Sequence, residues 1–378
     1  MRAIGALSTT RNTEAAWGEI LRALGEGSEG EAGDLAMVFA SPHHADELGR
    51  LSQDMIGRGI ARHILGCTGE SIVGDGREIE GTAALSVWVA RMPGVSIAPA
   101  RLEFDPKGES TGLAGGGAGP ILLLADPFTF PTDRWLARLR KESAGTIVMG
   151  GMASAGQIPG RNVLILDGEA YDSGAVAARI DGPIRLDAIV SQGCRPIGRP
   201  LIVTKSDENR VLELGRRPAV EVLRGIYRDL APEEQEQVRE GLHLGRVIDE
   251  YRETFGRGDF LVHNIIGADE TGGIAVTERI RVGQTVQFHV RDADTADDDL
   301  NTLLETSGSR PFGALLFSCN GRGQRLFPGP HHDVEAIRRR FGTIPVAGFF
   351  AMGEIGPIGG QNFVHGYTAS IALFSESP

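Results

Sequence analysis

Polar side chains follow apolar runs directly in two glycine-rich segments near the C-terminus. The apolar run 313–317 leads into Ser-Cys319-Asn320-Gly-Arg322-Gly, and the run 346–350 leads into Ala-Met-Gly-Glu354-Ile-Gly-Pro. A thiol, a guanidinium group and a carboxyl group in such segments can bind a polar ligand, or can serve as nucleophile and acid in catalysis. The residue types therefore predict a binding site, and they do not specify a reaction.

The elements that position these side chains are two buried strands. An apolar run of about four to eight residues bounded by turn signals is typical of a buried strand. Glycine just past a strand end lets the backbone approach a ligand or another segment closely. We therefore expect the two strands to deliver two glycine-lined loops to neighbouring places.

The pattern of strand, helix, strand, glycine loop and strand occurs three times, at 35–90, 121–180 and 314–374. Recurrence of one supersecondary unit indicates duplication within the chain. Glu70 and Glu354 each follow a glycine after the second strand of their copy, so we expect them to correspond. The pairs at 43–44 and 331–332, both His-His after a proline, are expected at solvated helix starts.

These elements predict an α/β protein of the mixed α+β type, with mixed sheets flanked by helices. A chain of 378 residues exceeds the usual size of a single core, so two domains are expected. We place them at residues 1–216 and 217–378. The segment between the second and third copies is different material, with a predicted hairpin, two helices and alternating strands.

Composition excludes several classes of protein. The formal net charge of −12 argues against a nucleic-acid surface, which needs a basic stripe. No apolar run approaches the length that spans a membrane, and the N-terminus lacks the apolar core of a signal peptide. Three widely spaced cysteines without a secretion signal favour reduced thiols in the cytoplasm.

No strong catalytic motif is present. The chain lacks a phosphate-binding G-x-x-x-x-G-K-[ST] loop, and Ser154 stands one residue too late for G-x-S-x-G. Cys67, Cys194 and Cys319 each lie in a segment that we read as a glycine loop after a strand. Each can be a structural filler, a ligand-lining or reactive thiol, or a metal ligand, but local metal-ligand spacing is missing. We predict no metal and no cofactor.

Each of the charged loop residues has two possible roles. Glu70 and Glu354 can contact a ligand or brace their loops by hydrogen bonds. Arg195 and Arg322 can bind a carboxylate or other anion together with backbone N–H groups, or can be ordinary surface arginines.

Seven motifs carry a resemblance that covers roughly residues 30–370. They are Gly66-Cys-Thr-Gly-Glu70-Ser, Leu124-Ala-Asp-Pro-Phe128, Ser191-Gln-Gly-Cys-Arg-Pro-Ile-Gly198, Gly258-Asp-Phe-Leu261, Phe288-His-Val-Arg-Asp-Ala293, Phe317-Ser-Cys-Asn-Gly-Arg-Gly323 and Gly348-Phe-Phe-Ala-Met-Gly-Glu354-Ile-Gly-Pro357. The chain resembles the FIST family, the F-box and intracellular signal transduction proteins, which have an N-terminal and a C-terminal FIST domain.

The resemblance implies a sensory module that binds small ligands such as amino acids, alone or joined to signalling domains. We expect no room in this chain for an F-box or an output domain, and hence a stand-alone sensor. The family offers no catalytic residues to carry over. Loop positions that match its motifs give the predicted ligand-binding set: Cys67, Thr68, Glu70, Gln192, Cys194, Arg195, Cys319, Asn320, Arg322, Glu354, Asn362 and His365.

The sequence-based hypothesis is a cytoplasmic sensor of an amino acid or small carboxylate, with a separate signalling protein as partner and no nucleic acid or membrane. One alternative is a thiol- or carboxylate-dependent hydrolase or transferase that uses Cys319 or Glu354, for example with His365 as general base. A second is a protein-interaction adaptor, which would need a large exposed apolar patch.

Overall fold

A computed structural model of the chain describes residues 1–27, 32–105, 108, 110–113, 117–256, 258–308 and 310–377. The chain forms two compact units. Unit 1 consists of Met1–Val190, Leu300–Val364 and Thr368–Pro378, and unit 2 consists of Ser191–Asp299 and His365–Tyr367. Both units combine helices with sheets, which confirms the predicted mixed α+β class. The division at residues 216 and 217 remains a prediction about sequence segments.

The first copy of the repeat begins unit 1. Its strand β2 is apolar and almost wholly buried, as the predicted run at 35–40 requires. Its elements are β1 (Arg2–Ser8), α1 (Thr13–Gly27), β2 (Gly33–Ala40), a 3-10 helix (Pro42–Glu47), α2 (Leu48–Gly57), β3 (Ala61–Thr68), β4 (Ile72–Gly74), β5 (Arg77–Ile79) and β6 (Leu85–Arg91). The predicted first copy begins only at residue 35, so β1 and α1 lie before it.

The second copy has the same order of elements. All five residues of its first long apolar strand are buried, and Trp135, Leu136 and Leu139 form the buried face of its helix. The elements are β7 (Ser96–Phe104), β8 (Ser110–Thr111), β9 (Ile121–Ala125), α3 (Thr132–Glu142), β10 (Val148–Met152), β11 (Leu164–Leu166), β12 (Glu169–Tyr171) and β13 (Ala175–Asp181).

Strand β14 (Ile184–Gln192) leads from unit 1 into unit 2. Seven strands of unit 2 form one sheet in the order β15-β21-β18-β19-β20-β16-β17, and an additional pairing of β15 with β16 closes it on itself. The elements are β15 (Cys194–Asp207), β16 (Arg210–Leu214), β17 (Arg217–Pro218), α4 (Ala219–Asp229), α5 (Pro232–Glu240), β18 (Leu242–Val247), β19 (Phe260–Ala268), β20 (Ile274–Val276) and β21 (Thr285–Arg291). Helix α6 (Ala293–Thr306) leads back into unit 1, which resumes at Leu300.

The third copy completes unit 1. Its two apolar runs form the parallel strand pair that the sequence predicted. The elements are β22 (Gly313–Cys319), a 3-10 helix (Gly323–Arg325), α7 (His332–Phe341), β23 (Val346–Ala351), β24 (Glu354–Ile358), β25 (Gln361–His365) and β26 (Thr368–Glu376).

The three copies share one topology, which confirms the predicted repeat. In each, the first two long strands are parallel across a helical connection (β2 with β3, β9 with β10, β22 with β23). The last strand of each copy returns antiparallel to the first (β6, β13 and β26). This is the expected result of duplication within one chain.

Each copy also lends a short hairpin to the sheet of another copy. Hairpin β4–β5 of the first copy pairs with β23 of the third, and β24–β25 of the third pairs with β10 of the second. Hairpin β11–β12 of the second copy pairs with β3 of the first, which closes the cycle. Unit 1 therefore has an approximate threefold arrangement in which no copy's sheet is complete without a neighbour.

One glycine per copy marks where this exchange takes place. Gly66, Gly150 and Gly348 each lie in the second strand, between the first strand and the borrowed hairpin. A Cβ atom at these positions would lie 2.2 Å, 1.8 Å and 1.7 Å from a carbonyl oxygen of the first strand. The three glycines are needed because the two backbones approach too closely for a side chain.

The apolar cores of unit 1 follow the threefold repeat. The inner faces of the three sheets share a central core, in which Phe39, Phe317 and Phe349 contact one another with ring centroids 5.3–6.3 Å apart. The outer faces pack separately against the helices of each copy. Burial of apolar area in these four clusters is the main force that holds the copies together.

Several local predictions are wrong. Cys67 lies inside strand β3, and Cys194 and Arg195 lie in strand β15, so these residues are not in loops. His44 is fully buried, with its Nδ1 2.9 Å from Thr13 Oγ1, because the 3-10 helix turns it towards α1. Ser41, just before this 3-10 helix, accepts a hydrogen bond from Ala84 N–H through its hydroxyl group.

Candidate functional site

Cys319 ends strand β22 at a position that is related to one residue in each other copy. The three glycines at the hairpin exchange, which we call the exchange glycines, each pair with a residue of the first strand in their copy. The third residue after that partner is Ser41 in the first copy, Asp126 in the second and Cys319 in the third, so these positions correspond. Cys319 Sγ accepts a hydrogen bond from Gly321 N–H at 3.4 Å, as Asp126 accepts one from Phe128 N–H at 3.2 Å. The third copy thus presents a half-buried thiol at a turn where the second copy has a carboxylate.

Glu354 is fully buried next to this turn. It directly precedes Ile355, the hairpin residue that pairs with the exchange glycine Gly150. The residues that directly precede the hairpin partners of the other two exchange glycines are Ile72 and Leu164, so they correspond to Glu354. The third copy therefore has a carboxyl group where the first and second have an apolar core residue. The predicted correspondence of Glu70 with Glu354 is wrong, because Glu70 lies two positions earlier in this register.

Burial raises the pKa of Glu354 to about 8, so the carboxyl is mainly protonated at neutral pH. Thr368 donates to Oε2 twice, from N–H at 3.1 Å and from Oγ1 at 2.9 Å, and the nearby Cys319 thiol and Arg322 guanidinium also lower this pKa in part. The second oxygen, Oε1, is buried and makes no hydrogen bond of ordinary geometry with the described residues.

Arg322 is fully buried as well. It forms a two-point ion pair with Asp333 at the start of α7, with Nε–Oδ2 at 2.8 Å and Nη2–Oδ1 at 2.6 Å. Its guanidinium carbon lies 5.2 Å from the centre of the Phe327 ring. The pair holds the pKa of Asp333 well below its usual value, against the opposite effect of burial. The third nitrogen, Nη1, has no hydrogen-bond partner in the described part of the chain.

A second buried carboxyl, Glu78, lies near this ion pair. The borrowed hairpin β4–β5 places Glu78 against α7, where its Oε1 accepts Val334 N–H at 2.9 Å. Burial and the nearby Asp333 charge raise the pKa of Glu78 to about 8. His332 stacks on Phe327, with ring centroids 3.4 Å apart, and its Nδ1 lies 3.0 Å from Asp333 Oδ1. The ion pair is therefore held from several sides.

The structure brings four predicted residues into one place, Cys319, Asn320, Arg322 and Glu354, which we call the Cys319 site. Asn320 directly follows the thiol, and its Oδ1 is buried without a hydrogen-bond partner among the described residues. The site thus offers a thiol, one guanidinium donor, one amide oxygen and one protonated carboxyl. These groups can bind a small molecule that has both an anionic and a donor group.

Glu70 lies at the rim of this site. Its carboxylate accepts a hydrogen bond from Arg325 Nη2, and Arg325 Nη1 donates to the backbone oxygen of Asn320 at 2.8 Å. Glu70 N–H donates to Ser154 Oγ at 2.8 Å, so the second copy supports the same loop. Glu70 is therefore connected to the Cys319 site through Arg325.

Three other predicted residues of unit 1 have structural contacts. Cys67 is fully buried in the central core, and burial raises the pKa of its thiol well above the usual value. Thr68 Oγ1 accepts Val163 N–H at 2.9 Å. Asn362 holds its hairpin, because its amide accepts Val148 N–H at 2.9 Å and donates to Thr146 O at 2.7 Å.

The remaining predicted residues lie in unit 2. Gln192 donates to Phe260 O at 2.6 Å, and Cys194 is buried beside Val247 and Phe260. Arg195 pairs with Glu234 at 3.0 Å and donates to Gln237 Oε1 at 2.8 Å. His365 is buried.

Sequence reasoning missed the residues that support the Cys319 site: Asp333, Glu78 and Thr368. The position of Asp333 could have been noticed in the sequence. It is an acidic residue in the first turn of an amphipathic helix and comes eleven positions after Arg322, with which it can form an ion pair. No such indication existed in the sequence for Glu78 or Thr368. The contact of Glu78 depends on hairpin exchange, and that of Thr368 depends on the return of strand β26.

Comparison with known families agrees with this architecture. The model of the FIST N domain matches residues 34–217, and that of the FIST C domain matches residues 219–357. The chain belongs to the FIST family. FIST domains are in general sensory domains of signal transduction. The FIST domains do not coincide with the compact units, because unit 1 includes residues 300–357 of the FIST C match.

Curated relatives of this FIST protein occur in mycobacteria. An uncharacterised protein of Mycobacterium tuberculosis is 41% identical over 352 residues, which cover 90% of this chain and 91% of the relative. An uncharacterised protein of Mycobacterium bovis is 41% identical over 357 residues, which cover 92% of each.

The described residues of this FIST protein hold no cluster of three or more His, Cys, Asp or Glu side chains arranged to bind a metal ion. In the same part of the chain, no helix is both long and apolar enough to cross a membrane.

Proposed function

We propose that this FIST protein is a sensory protein that binds a small ligand at the Cys319 site. The observation that carries the proposal is a set of buried polar atoms that have no hydrogen-bond partner among the described residues and lie beside a half-buried thiol: Arg322 Nη1, Glu354 Oε1 and Asn320 Oδ1. An unsatisfied buried polar atom costs about 1–3 kcal/mol, more if it is charged. A bound polar ligand would satisfy these atoms and recover that free energy.

The chemistry of the atoms favours an amino acid or another small carboxylate. Arg322 Nη1 can donate to a carboxylate. Glu354 is buried and mainly protonated in the protein alone, because its pKa is about 8. An ammonium group next to it would favour the ionised carboxylate, so an amino acid would bind with release of a proton. A carboxylate without an amino group would instead accept a hydrogen bond from the protonated form.

The position of Glu354 supports a ligand role over a bracing role. In the first and second copies, the apolar residues Ile72 and Leu164 fill the corresponding place, so the fold does not need a carboxyl group there. Burying a carboxyl in place of an apolar side chain lowers stability. A functional gain would explain why the third copy carries one.

The proposal includes a separate signalling protein as partner and a cytoplasmic location. The support for the location is the presence of three thiols, none of them in a disulfide, in a chain with a half-buried cysteine at its site. Ligand-dependent co-purification of one defined partner from the host would support the signalling role, and equal recovery with and without the ligand would oppose it.

Isothermal titration calorimetry with the standard amino acids and small mono- and dicarboxylates tests the ligand. We expect one member of the panel to bind, with at least tenfold weaker binding to Glu354→Gln, since loss of one hydrogen bond to a charged group is about 1.5–3 kcal/mol. Glu142→Gln is the control, because Glu142 lies in α3 and pairs with Arg138 at the protein surface. No binding by any member, or equal binding to Glu354→Gln, would reject the proposal.

A thiol-dependent acyl transferase or hydrolase is a second candidate, favoured by the contact of Gly321 N–H with Cys319 Sγ. In such a reaction the thiolate attacks an ester carbonyl, a thioester forms and the alcohol leaves, and water then releases the acid. Turnover of p-nitrophenyl acetate that is lost in Cys319→Ala and kept in Cys67→Ala would support it. Equal rates in the two variants would exclude it.

A further inference from the structure

Two strongly exposed apolar residues of unit 2 lie in adjacent segments, where β15 leaves its pairing with β21 and begins its pairing with β16. Ile202 of β15 is 57% exposed, and Val282, in the turn before β21, is 61% exposed. The segments are adjacent because Val203 donates its N–H to Gln284 O and Gly283 donates its N–H to Val203 O, both at 2.9 Å. Single exposed aliphatic residues are common, but neighbouring ones form the apolar centre of many protein contact surfaces.

The turn between β16 and β17 lies on the other side of Ile202. Gly215 donates its N–H to Ile202 O at 2.9 Å, and Arg216 donates its N–H to Thr204 Oγ1 at 2.8 Å. Two turns therefore flank Ile202, and each presents an exposed arginine, Arg216 in one and Arg281 in the other. We call the set Ile202, Arg216, Arg281 and Val282 the Ile202 surface.

The Ile202 surface is cationic, although the chain as a whole has a formal net charge of −12. Arg216 and Arg281 are exposed, and neither has an ion pair among the described residues. Arg217, the next residue after the first turn, is exposed as well. One acidic residue contacts these segments, Glu250, whose carboxylate accepts Thr285 N–H at 2.7 Å. The surface thus combines an apolar centre with cations that are available to an anionic partner.

Arg216 occupies a backbone conformation that disfavours residues other than glycine. It is the second residue of a two-residue hairpin turn and has φ +65°. Two other hairpins have turns of the same length, Asp75-Gly76 and Asp167-Gly168, and both hold glycine at this position. Glycine is preferred there because its backbone adopts positive φ without strain. An exposed arginine kept in a strained conformation points to a function of its side chain.

We infer that the Ile202 surface binds an acidic segment of a partner protein, one that also carries apolar side chains. The apolar side chains would contact Ile202 and Val282, and the carboxylates would pair with Arg216 and Arg281. The inference rests on the partner protein included in the proposed function, but it does not need a ligand at the Cys319 site.

Charge favours this partner over two other occupants. A second copy of the chain across a twofold axis would bring Arg216 and Arg281 of both copies together, and their repulsion opposes such a dimer. An anionic membrane would attract the Ile202 surface but would repel the rest of a chain whose net charge is −12. An acidic protein segment meets only the cationic surface.

Selection of random dodecapeptides, displayed on phage, against the full chain tests this surface. We expect the selected peptides to combine acidic with apolar residues, and to bind Ile202→Ser at least about tenfold more weakly in fluorescence anisotropy. Ile158→Ser is the matched control, because Ile158 of unit 1 is also 57% exposed, and it should bind the peptides like the unmodified protein. No enriched peptide, peptides without an excess of acidic residues, or equal affinities of the two variants would overturn the inference.

Substitution of Arg216 separates peptide binding from folding. Arg216→Gly gives the turn the residue that it prefers, so the midpoint of thermal unfolding should stay the same or rise. The affinity for the selected peptides should nevertheless fall at least about tenfold, because one cation of the surface is lost. Undiminished peptide binding by Arg216→Gly would contradict the role of this arginine.

The same variants distinguish the other occupants and the Cys319 proposal. Dimerisation in analytical ultracentrifugation, or binding to phosphatidylserine vesicles, that is lost in Ile202→Ser would overturn the inference in favour of that occupant. Glu354→Gln should bind the selected peptides like the unmodified protein, and Ile202→Ser should keep the calorimetric binding of the ligand at the Cys319 site. Failure of one proposal can therefore be distinguished from failure of the other.

Discussion

Arg322 and Asp333 form a two-point ion pair, at 2.8 Å and 2.6 Å, with both side chains almost completely buried. The contact joins the loop after Cys319 to the first turn of α7, so it sets the geometry of the Cys319 site. A buried charge is tolerated only when it is paired and hydrogen-bonded. The pair is therefore a structural requirement of the site, which leaves one guanidinium nitrogen for a ligand.

Removal of one member of this pair should destabilise the protein strongly. Asp333→Asn leaves the Arg322 guanidinium buried without its counter-charge, and we expect a loss of about 3–5 kcal/mol in the free energy of unfolding. Urea unfolding measures this loss. The control is Glu142→Gln, which breaks the exposed pair of Arg138 with Glu142 at 2.6 Å and should cost less than about 0.5 kcal/mol. Similar losses in the two variants would contradict the assigned importance of burial.

Stability should fall with rising pH because of Glu354. Burial raises its folded pKa from the ordinary 4.5 to about 8, so between these values the folded state holds a proton that the unfolded state has released. The free energy of unfolding then decreases with pH over that window, by at most about 1.4 kcal/mol per pH unit for this group. Urea unfolding from pH 5 to pH 9 measures the slope.

The contribution of Glu354 is obtained as the difference between the unmodified protein and Glu354→Gln. Glu78 acts in the same direction, since its pKa is also about 8. His243 and His289 act oppositely between about pH 4 and 6.5, because burial lowers both pKa values to about 4. The contributions of Glu78, His243 and His289 are the same in both proteins, so they cancel when the pH dependence of Glu354→Gln is subtracted from that of the unmodified protein. An identical pH slope with and without Glu354 would show that its carboxyl is not protonated in the folded state.

Cys319 should be the reactive thiol of the folded protein. Cys67 and Cys194 are buried, whereas Cys319 is half-buried at its turn. We expect a disulfide reagent to modify one thiol per chain rapidly in the native state and all three in denaturant. Cys319→Ser should abolish the rapid phase, and Cys67→Ser should retain it. A ligand of the Cys319 site should slow the phase, and a rapid phase that persists in Cys319→Ser would be inconsistent with this structure.

The exchange glycines should tolerate no side chain. At Gly348, a Cβ atom would lie 1.7 Å from Leu316 O, so the strands must separate or the hairpin must be released. We expect Gly348→Ala to cost more than about 3 kcal/mol in the free energy of unfolding. Gly18→Ala in the open interior of α1 is the control and should stabilise by up to about 1 kcal/mol. A mild effect of Gly348→Ala would contradict the close approach.

The sequence by itself determined the local units of this protein. Apolar runs such as 121–125 and 314–317 have the length and flanking turn residues of buried strands, and the helices between them show an apolar face every third or fourth residue. Since these signals are local, the threefold repeat and the mixed α+β class could be predicted. Cys319, Asn320 and Arg322 could also be assigned to one turn, because they are close in the chain.

The tertiary structure decided what these units contact. Hairpin exchange places Glu78 against α7 and Glu354 among the strands of the second copy, and neither contact has a local sequence signal. For the same reason the sequence could not show that Arg322 is fully buried and paired, or that Glu70 and Glu354 occupy different positions of the repeat. Burial and partners at long sequence separation determine the charge of each carboxyl, and these depend on the folded arrangement alone.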